Sequence, residues 1–290
     1  MKATAVIVTY NRLKDLKVCL AAVKRQTRTP EGIIVVNNGS TDGTKEYLAS
    51  EEGVTVINQE NLGGAGGFYA GMKYAYDNGY DWVWMMDDDG IAEDHQLENL
   101  LNTAEKYGYK ALNALVLSTA DHTRLPFSGQ IPLRDLDLSQ DTIEKPVCPF
   151  NGTLIHREVM DKIGFIKKEM FIWGDESEYI ARMRKKGHFK FHTATKAIHY
   201  HPDEKGKRCS CIPGINNKYL QLLVKPSHMS HYYYRNLGYT DWHYGSCWGL
   251  KPMIRNMVVY TIYYLRIGNF TELRKFYKYY YKGMRNDYTS

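Results

Sequence analysis

The chain predicts an α/β protein: a mostly parallel sheet flanked by helices, followed by a C-terminal helical extension. Two observations carry this. Short apolar runs alternate with helical-period segments through the first third of the sequence, which is the pattern of repeated βα units. The runs are also continuously apolar rather than alternating, as strands covered on both faces are.

The elements follow in order. Ala3 to Thr9 is the first strand. Over 12–26, Leu13, Leu16, Leu20 and Val23 recur at helical spacing, with Asn11 as the expected N-cap. Gly32-Ile33-Ile34-Val35-Val36 is a second buried strand, and the turn-rich 37–44 follows it. Residues 54–57 give a third strand, 61–67 a glycine-rich turn opening a helix to about Tyr76, and 82–86 a fourth strand. Beyond it a helix is expected over 94–107, then a less regular middle, a strand over 146–156, a helix over 176–186, and strand and loop over 189–201. After Pro213 the pattern turns helical and aromatic with no further strand motif.

The length of 290 residues buries a full core and suits one large domain with an appendage. The first strand begins almost at once, so no cleavable signal peptide is expected. Five cysteines (Cys19, Cys148, Cys209, Cys211, Cys247) are an odd number without framework spacing, which points to a reducing cytoplasm.

The stretch Trp82-Val83-Trp84-Met85-Met86-Asp87-Asp88-Asp89 is the most informative. It is an apolar strand ending abruptly in three carboxylates. Ligands of such sheets bind at the carboxyl ends of strands. Adjacent acids repel there, and a hard divalent cation such as Mg²⁺ or Mn²⁺ relieves the repulsion while sharing its shell with phosphates. A solvated acidic loop is the alternative.

Three further constellations stand out. Asn61-Leu62-Gly63-Gly64-Ala65-Gly66-Gly67 is either a backbone cradle for a phosphate or sugar or a tight turn packing helix on sheet. It is neither a Walker loop nor the dinucleotide fingerprint. Trp173-Gly174-Asp175-Glu176-Ser177-Glu178 starts a helix, where carboxylates are favoured by the dipole, and offers a general base beneath an aromatic lid. His199 and His201 supply imidazoles that either complete a metal shell or form a plain surface pair. With Cys209 and Cys211 they match no common zinc spacing.

Taken in order, Ile7-Val8-Thr9-Tyr10-Asn11-Arg12, Val35 through Thr44, the 61–67 run, Met86-Asp87-Asp88-Asp89, the 173–178 cluster and His201 resemble the inverting glycosyltransferases of family 2. Within that family the glycine run and the Trp-x-Asp-Glu cluster look most like galactofuranosyltransferases and rhamnosyltransferases. The resemblance covers roughly residues 3–202. It implies the GT-A fold, a Rossmann-like sheet, with a catalytic domain over 1–213 (nucleotide-sugar half about 1–92, acceptor half about 93–213) and a helical region over 214–290.

The resemblance also implies roles. Thr9, Tyr10, Asn11, Arg12, Asn37, Asn38, Asp42, Asn61, Gly63, Gly64, Gly67, Asp87 and Asp88 would bind the nucleotide-sugar. Asn37 stands where many relatives carry Asp, which leaves the base open between uridine and thymidine. Asp87, Asp89 and His201 would hold Mn²⁺ or Mg²⁺, with His199 as the substitute third ligand. Asn151, Gly152 and Trp173 would face the acceptor, and Glu176, with Asp175 beside it, would be the catalytic base. The expected reaction is metal-dependent, inverting transfer of a hexose from a UDP-galactofuranose or dTDP-rhamnose type donor to a saccharide or lipid-linked glycan in polysaccharide synthesis. A sugar-phosphate nucleotidyltransferase would also use a carboxylate-bound metal, but Thr9-Tyr10-Asn11-Arg12 lacks the glycine-rich basic loop it needs. A non-catalytic carbohydrate- or membrane-binding module has no use for the intact acids.

The tail mixes Tyr with Lys and Arg through Arg274-Lys275-Phe276-Tyr277-Lys278-Tyr279-Tyr280-Tyr281-Lys282. The 253–265 run is too short to span a bilayer. A basic aromatic helical face suits anionic headgroups and would keep the protein at the inner face of the cell membrane. A helical lid packed on its own chain, or on a second subunit in a homo-oligomer, is the other reading. Nucleic acid is not an expected partner.

Overall fold

The computed structural model describes residues 1–126, 133–144, 150–203, 207–215, 217–245 and 250–289. In chain order the elements begin β1 (Ala3–Thr9), α1 (Leu13–Lys24), β2 (Gly32–Asn37), α2 (Thr44–Ser50), β3 (Thr55–Asn58), α3 (Gly63–Asp77) and β4 (Trp82–Asp87). Then come β5 (Ile91–Ala92), α4 (Gln96–Tyr107), β6 (Ala111–Ser118), β7 (Thr142–Ile143), β8 (Thr153–His156), α5 (Arg157–Ile163), α6 (Asp175–Arg182) and β9 (His192–His201). The chain ends with β10 (Lys207–Ser210), β11 (Gln221–Val224), α7 (Ser230–Tyr244), α8 (Leu250–Arg266) and α9 (Phe270–Met284).

The main sheet runs β3-β2-β1-β4-β8-β6-β9-β5, with β7 also on β9. The β3-β2-β1-β4 half is wholly parallel, and antiparallel pairs enter with β8, β5 and β7. Residues of β1, β2 and β4 are buried almost throughout, because helices cover both faces. Large side chains such as Trp84, Leu16 and Leu20 fill that core, each worth ~1.5–3 kcal/mol on burial. Register sets the functional edge: Thr9 pairs with Asn37 and Val8 with Asp87, so the ends of β1, β2 and β4 are level.

Several expectations are corrected. Asn11 is not the cap of α1; it has φ 54°, and Asp42 Oδ2 instead accepts from Leu13 N at 2.9 Å. The irregular middle contains the eight-residue β6, whose ladder partners β8 and β9 are distant in the chain. The strand expected over 146–156 is Thr153–His156, and 146–149 lie outside the described residues. The C-terminal region is not purely helical: β10 and β11 form a separate antiparallel hairpin. Among the described residues Cys19, Cys209 and Cys211 form no disulfide, while Cys148 and Cys247 lie outside the described residues.

The chain divides into two compact units, Met1–Lys168 with Arg182–Glu204, and Glu169–Ala181 with Lys205–Ser290. The second unit is built around an aromatic core of Tyr234, Tyr260, Tyr264, Phe276 and Tyr280. Its helices α7 and α9 touch backbone to backbone. A Cβ on Gly238 would overlap the Tyr280 carbonyl, and one on Gly283 the Arg235 carbonyl. Among the described residues no helix is long and apolar enough to cross a membrane.

Candidate active site

In the first unit the three acids divide their work. Asp88 is buried, and its Oδ2 accepts from Thr9 Oγ1 at 2.7 Å and Tyr10 N at 3.3 Å, which ties the end of β4 to the loop after β1. Burial pushes its carboxyl up to about 7, against the Thr9 hydrogen bond and with the help of the Asp89 charge. Asp87 and Asp89, on either side, are less buried. Asp89 Oδ1 lies 3.0 Å from His201 Nε2, and its Oδ2 takes the Arg12 guanidinium. Burial alone would raise the Asp89 carboxyl, but His201 and Arg12 hold it below its usual value.

Asp87, Asp89 and His201 each offer a ligand atom, all within 4.8 Å of one another. Two carboxylates and an imidazole suit Mn²⁺ or Mg²⁺. His201 Nδ1 lies 2.7 Å from the Pro202 carbonyl, which can only accept, so Nδ1 carries a proton. That orientation leaves Nε2 on the Asp89 side, as a metal-binding imidazole requires. His199 stands outside this group. It is fully buried, its Nδ1 lies 3.3 Å from Gln96 Oε1, and burial lowers it to about 3. Its Nε2 faces Gly90, where a Cβ would overlap the ring, so only glycine fits after the three acids.

The polar turn after β2 is a framework. Asn38, buried, donates from Nδ2 to the Gly63 carbonyl at 2.9 Å and accepts at Oδ1 from Gln59 Nε2 at 2.8 Å and Leu62 N at 3.1 Å. It thereby staples β2 to the glycine run. Asn37 Nδ2 donates to Asn58 Oδ1 at 2.9 Å, and Asn61 Oδ1 accepts from Gly63 N at 3.0 Å. Asn11 Oδ1 accepts from Thr41 N at 2.7 Å, joining the loops after β1 and β2. The glycines separate by role. Gly63 turns at φ +72°, Gly64 has open space at its Cβ position, and Gly67 lies against Val8 so closely that a Cβ would overlap it.

A family model described as "Glycosyl transferase family 2" matches residues 4–164, a span holding β1 through α5 and all three acids. The chain belongs to glycosyltransferase family 2. It is 36% identical over 215 residues to the galactofuranosyltransferase GlfT1 of Mycobacterium tuberculosis, covering 68% of this chain and 69% of that protein. The Mycolicibacterium smegmatis GlfT1 is 31% identical over 212 residues, covering 68% and 70%. The crystal structure of S. aureus TarS 1-349 superposes with a TM-score of 0.56 at 13% identity, covering 98% of this chain and 92% of that one. This chain spans 43% of the longer TarS structure, with a TM-score of 0.54. The protein is therefore a glycosyltransferase with the GT-A fold.

The second unit of this glycosyltransferase carries the other acidic cluster. Residues 170–174 form a contorted approach to α6, with φ 66° at Phe171, 60° at Trp173 and 102° at Gly174. Asp175 is buried at the start of α6, while Glu176 is half-buried with Oε2 accepting from Gly174 N at 3.3 Å. Asn236 of α7, fully buried, donates from Nδ2 to the carbonyls of Met170 (2.9 Å), Ile172 (3.0 Å) and Trp173 (2.9 Å). Arg235 reaches the Glu169 carbonyl at 3.0 Å, and Lys225 Nζ sits 4.7 Å from the centre of the Trp173 ring.

Asn151 and Gly152 belong to the first unit, just before β8. The Asn151 carbonyl accepts from Asn113 Nδ2 at 3.2 Å, and the Gly152 carbonyl accepts from Ala114 N at 3.0 Å. Sequence reasoning missed Asn236, Asn113 and Gln96. For Asn113 and Asn236 the available signal was a polar amide inside an otherwise apolar or aromatic run; Gln96, among Glu93, Asp94, His95 and Glu98, carried no such signal.

Proposed function

We propose that this glycosyltransferase moves a hexose, galactofuranose first and rhamnose second, from its nucleoside diphosphate carrier to a saccharide or lipid-linked glycan of a cell-surface polysaccharide. The reading is carried by the clustering of Asp87, Asp89 and His201 at the level ends of β1, β2 and β4. The GlfT1 relatives support galactofuranose as the sugar.

Asp87, Asp89 and His201 would hold a divalent ion, Mn²⁺ or Mg²⁺. Bound there, it would supply Lewis-acid stabilisation of the charge that builds on the leaving diphosphate. Thr9, Tyr10, Asn11 and Arg12, with the framework of Asn37, Asn38, Asp42 and Asn61, border the nucleotide. Asp88 keeps the loop after β1 in place through Thr9 and Tyr10. Glu176, with Asp175 beside it, takes the proton of the acceptor hydroxyl as its oxygen bonds to the anomeric carbon. The bond from that carbon to the phosphate oxygen breaks on the opposite face, and one displacement inverts the centre.

Turnover of UDP-galactofuranose with Mn²⁺, measured on wild type, Asp89→Ala and Glu176→Ala, tests the assignment. Both variants are expected to lose activity by 10²-fold or more. Full turnover in either removes the role given to that residue. A thermal-shift panel of UDP- and dTDP-sugars identifies the nucleotide independently of turnover.

A further inference from the structure

The second unit turns its helices in an unusual sense. Tyrosines fill its core, and aliphatic side chains face water. Ile254, Val258, Ile262 and Leu265, spaced i, i+4, i+8 and i+11, form one stripe along α8, with Ile254 51%, Val258 49% and Leu265 50% exposed. The opposite side of α8 packs Val259, Tyr260 and Tyr264 inward. Burying Tyr while exposing Ile, Val and Leu is costly unless something apolar covers the stripe.

The neighbouring helix supplies charge. The outer face of α9 exposes Arg274, Tyr277, Lys278 and Tyr281. The two faces adjoin, since the Tyr277 hydroxyl lies 2.6 Å from Thr261 Oγ1, in the middle of the aliphatic stripe. Between residues 250 and 285 there are eight Lys or Arg and one acid, Glu272. Glu272 is buried and pairs with Lys275 Nζ at 3.0 Å, so it offsets that one cation and not Arg274 or Lys278.

We infer that the α8–α9 face docks on an anionic phospholipid surface. The aliphatic stripe enters the headgroup boundary, the α9 tyrosines lie at the interface, and Arg274 and Lys278 meet lipid phosphates. A second copy fits worse, because two-fold pairing of this face would set basic helix against basic helix. Nucleic acid would leave the aliphatic stripe uncovered. The inference is independent of the chemistry proposed above, and activity on a water-soluble acceptor reports that chemistry separately.

Co-sedimentation of the full chain with phosphatidylcholine vesicles, with and without phosphatidylglycerol, tests it. Wild type is expected to partition onto the anionic vesicles only, and less so as salt rises from about 0.05 to about 0.5 M. The pairs Ile254→Glu/Ile262→Glu and Arg274→Glu/Lys278→Glu should each weaken partition about tenfold or more while keeping wild-type Tm and activity on a soluble acceptor. Absence of wild-type binding to anionic vesicles overturns the inference, as does unchanged binding by the Ile254→Glu/Ile262→Glu protein. If light scattering shows a wild-type oligomer that this pair splits, and vesicles are not bound, the face belongs to a second copy and the lipid assignment fails.

Discussion

The side-chain amide of Asn236 lies 2.9 Å from the carbonyl of Trp173, and the same nitrogen reaches the carbonyls of Met170 and Ile172. One amide thus reaches three carbonyls of a short backbone segment that has positive φ at Phe171, Trp173 and Gly174. Left-handed conformations at non-glycine residues cost ~1 kcal/mol or more each and persist only where surroundings impose them. Helix α7 is that surrounding, so a helix of the C-terminal region shapes the approach to Asp175 and Glu176.

Asn236→Ala removes the donor to the half-buried carbonyls of Ile172 and Trp173, while that of Met170 keeps Arg235 and Ile172 N, and should cost ~1–3 kcal/mol of stability. Turnover should fall at least tenfold while the Kd for the nucleoside diphosphate stays at the wild-type value. Steady-state kinetics beside calorimetric titration separates the two. Wild-type turnover in a folded Asn236→Ala protein would show that the loop keeps its shape without the amide.

Asp87→Asn and Asp89→Asn each take a charge from the group around His201. In wild type, Mn²⁺ with a nucleoside diphosphate at about a hundred times its Kd should stabilise the fold by ~2.7 kcal/mol. Differential scanning fluorimetry should show that increment lost in both variants. An undiminished Mn²⁺-dependent shift in either would place the ion elsewhere.

Gly71 of α3 crosses β1 so closely that a Cβ would overlap Val6 Cγ1. Gly71→Ala should therefore cost ~1–3 kcal/mol through overpacking, despite the better helix propensity of alanine. Val6→Ala in the same chain should recover part of that loss, and a double-mutant cycle from urea unfolding measures the coupling. Additive losses would mean that α3 shifts rather than clashes.

Glu272 links α9 to α7 and to Ser227. Burial disfavours its charge, but hydrogen bonds from Ser230, Ser227, Lys275 and Tyr234 outweigh burial and hold its carboxyl below the ordinary 4.5. A depressed native value means the stabilisation is present above the unfolded-state value and disappears as pH falls through the native one. Wild type should lose stability below about pH 4.5 more steeply than Glu272→Gln, while the variant is ~2 kcal/mol less stable at neutral pH. Thermal melts from pH 3 to 7 check the slope, and parallel curves would refute the assignment.

The parallel half of the sheet, the acids after β4 and the order of the strand-end motifs were legible because each is a local pattern. An apolar run of strand length followed by a polar turn carries its own signal, whatever lies elsewhere. β6 was not legible, since Ala111–Ser118 resembles a buried segment of either type until β8 and β9 pair with it. The glycine run shows the same division. Its turn was visible in the chain, but the separation of Gly64, in open space, from Gly67, pressed on Val8, exists only in packing.

From the sequence alone came the fold class, the family and the position of the three acids at the end of a strand, because chain-local periodicity and residue chemistry encode them. Only the tertiary structure decided that Asp88 braces the loop after β1 while Asp87 and Asp89 gather with His201. It alone assigned residues 169–181 to the unit of the C-terminal helices, and turned the α8 aliphatics outward over a tyrosine core. Such choices depend on contacts between residues tens to hundreds of positions apart, and hydrophobic periodicity carries no record of which distant partner each face meets.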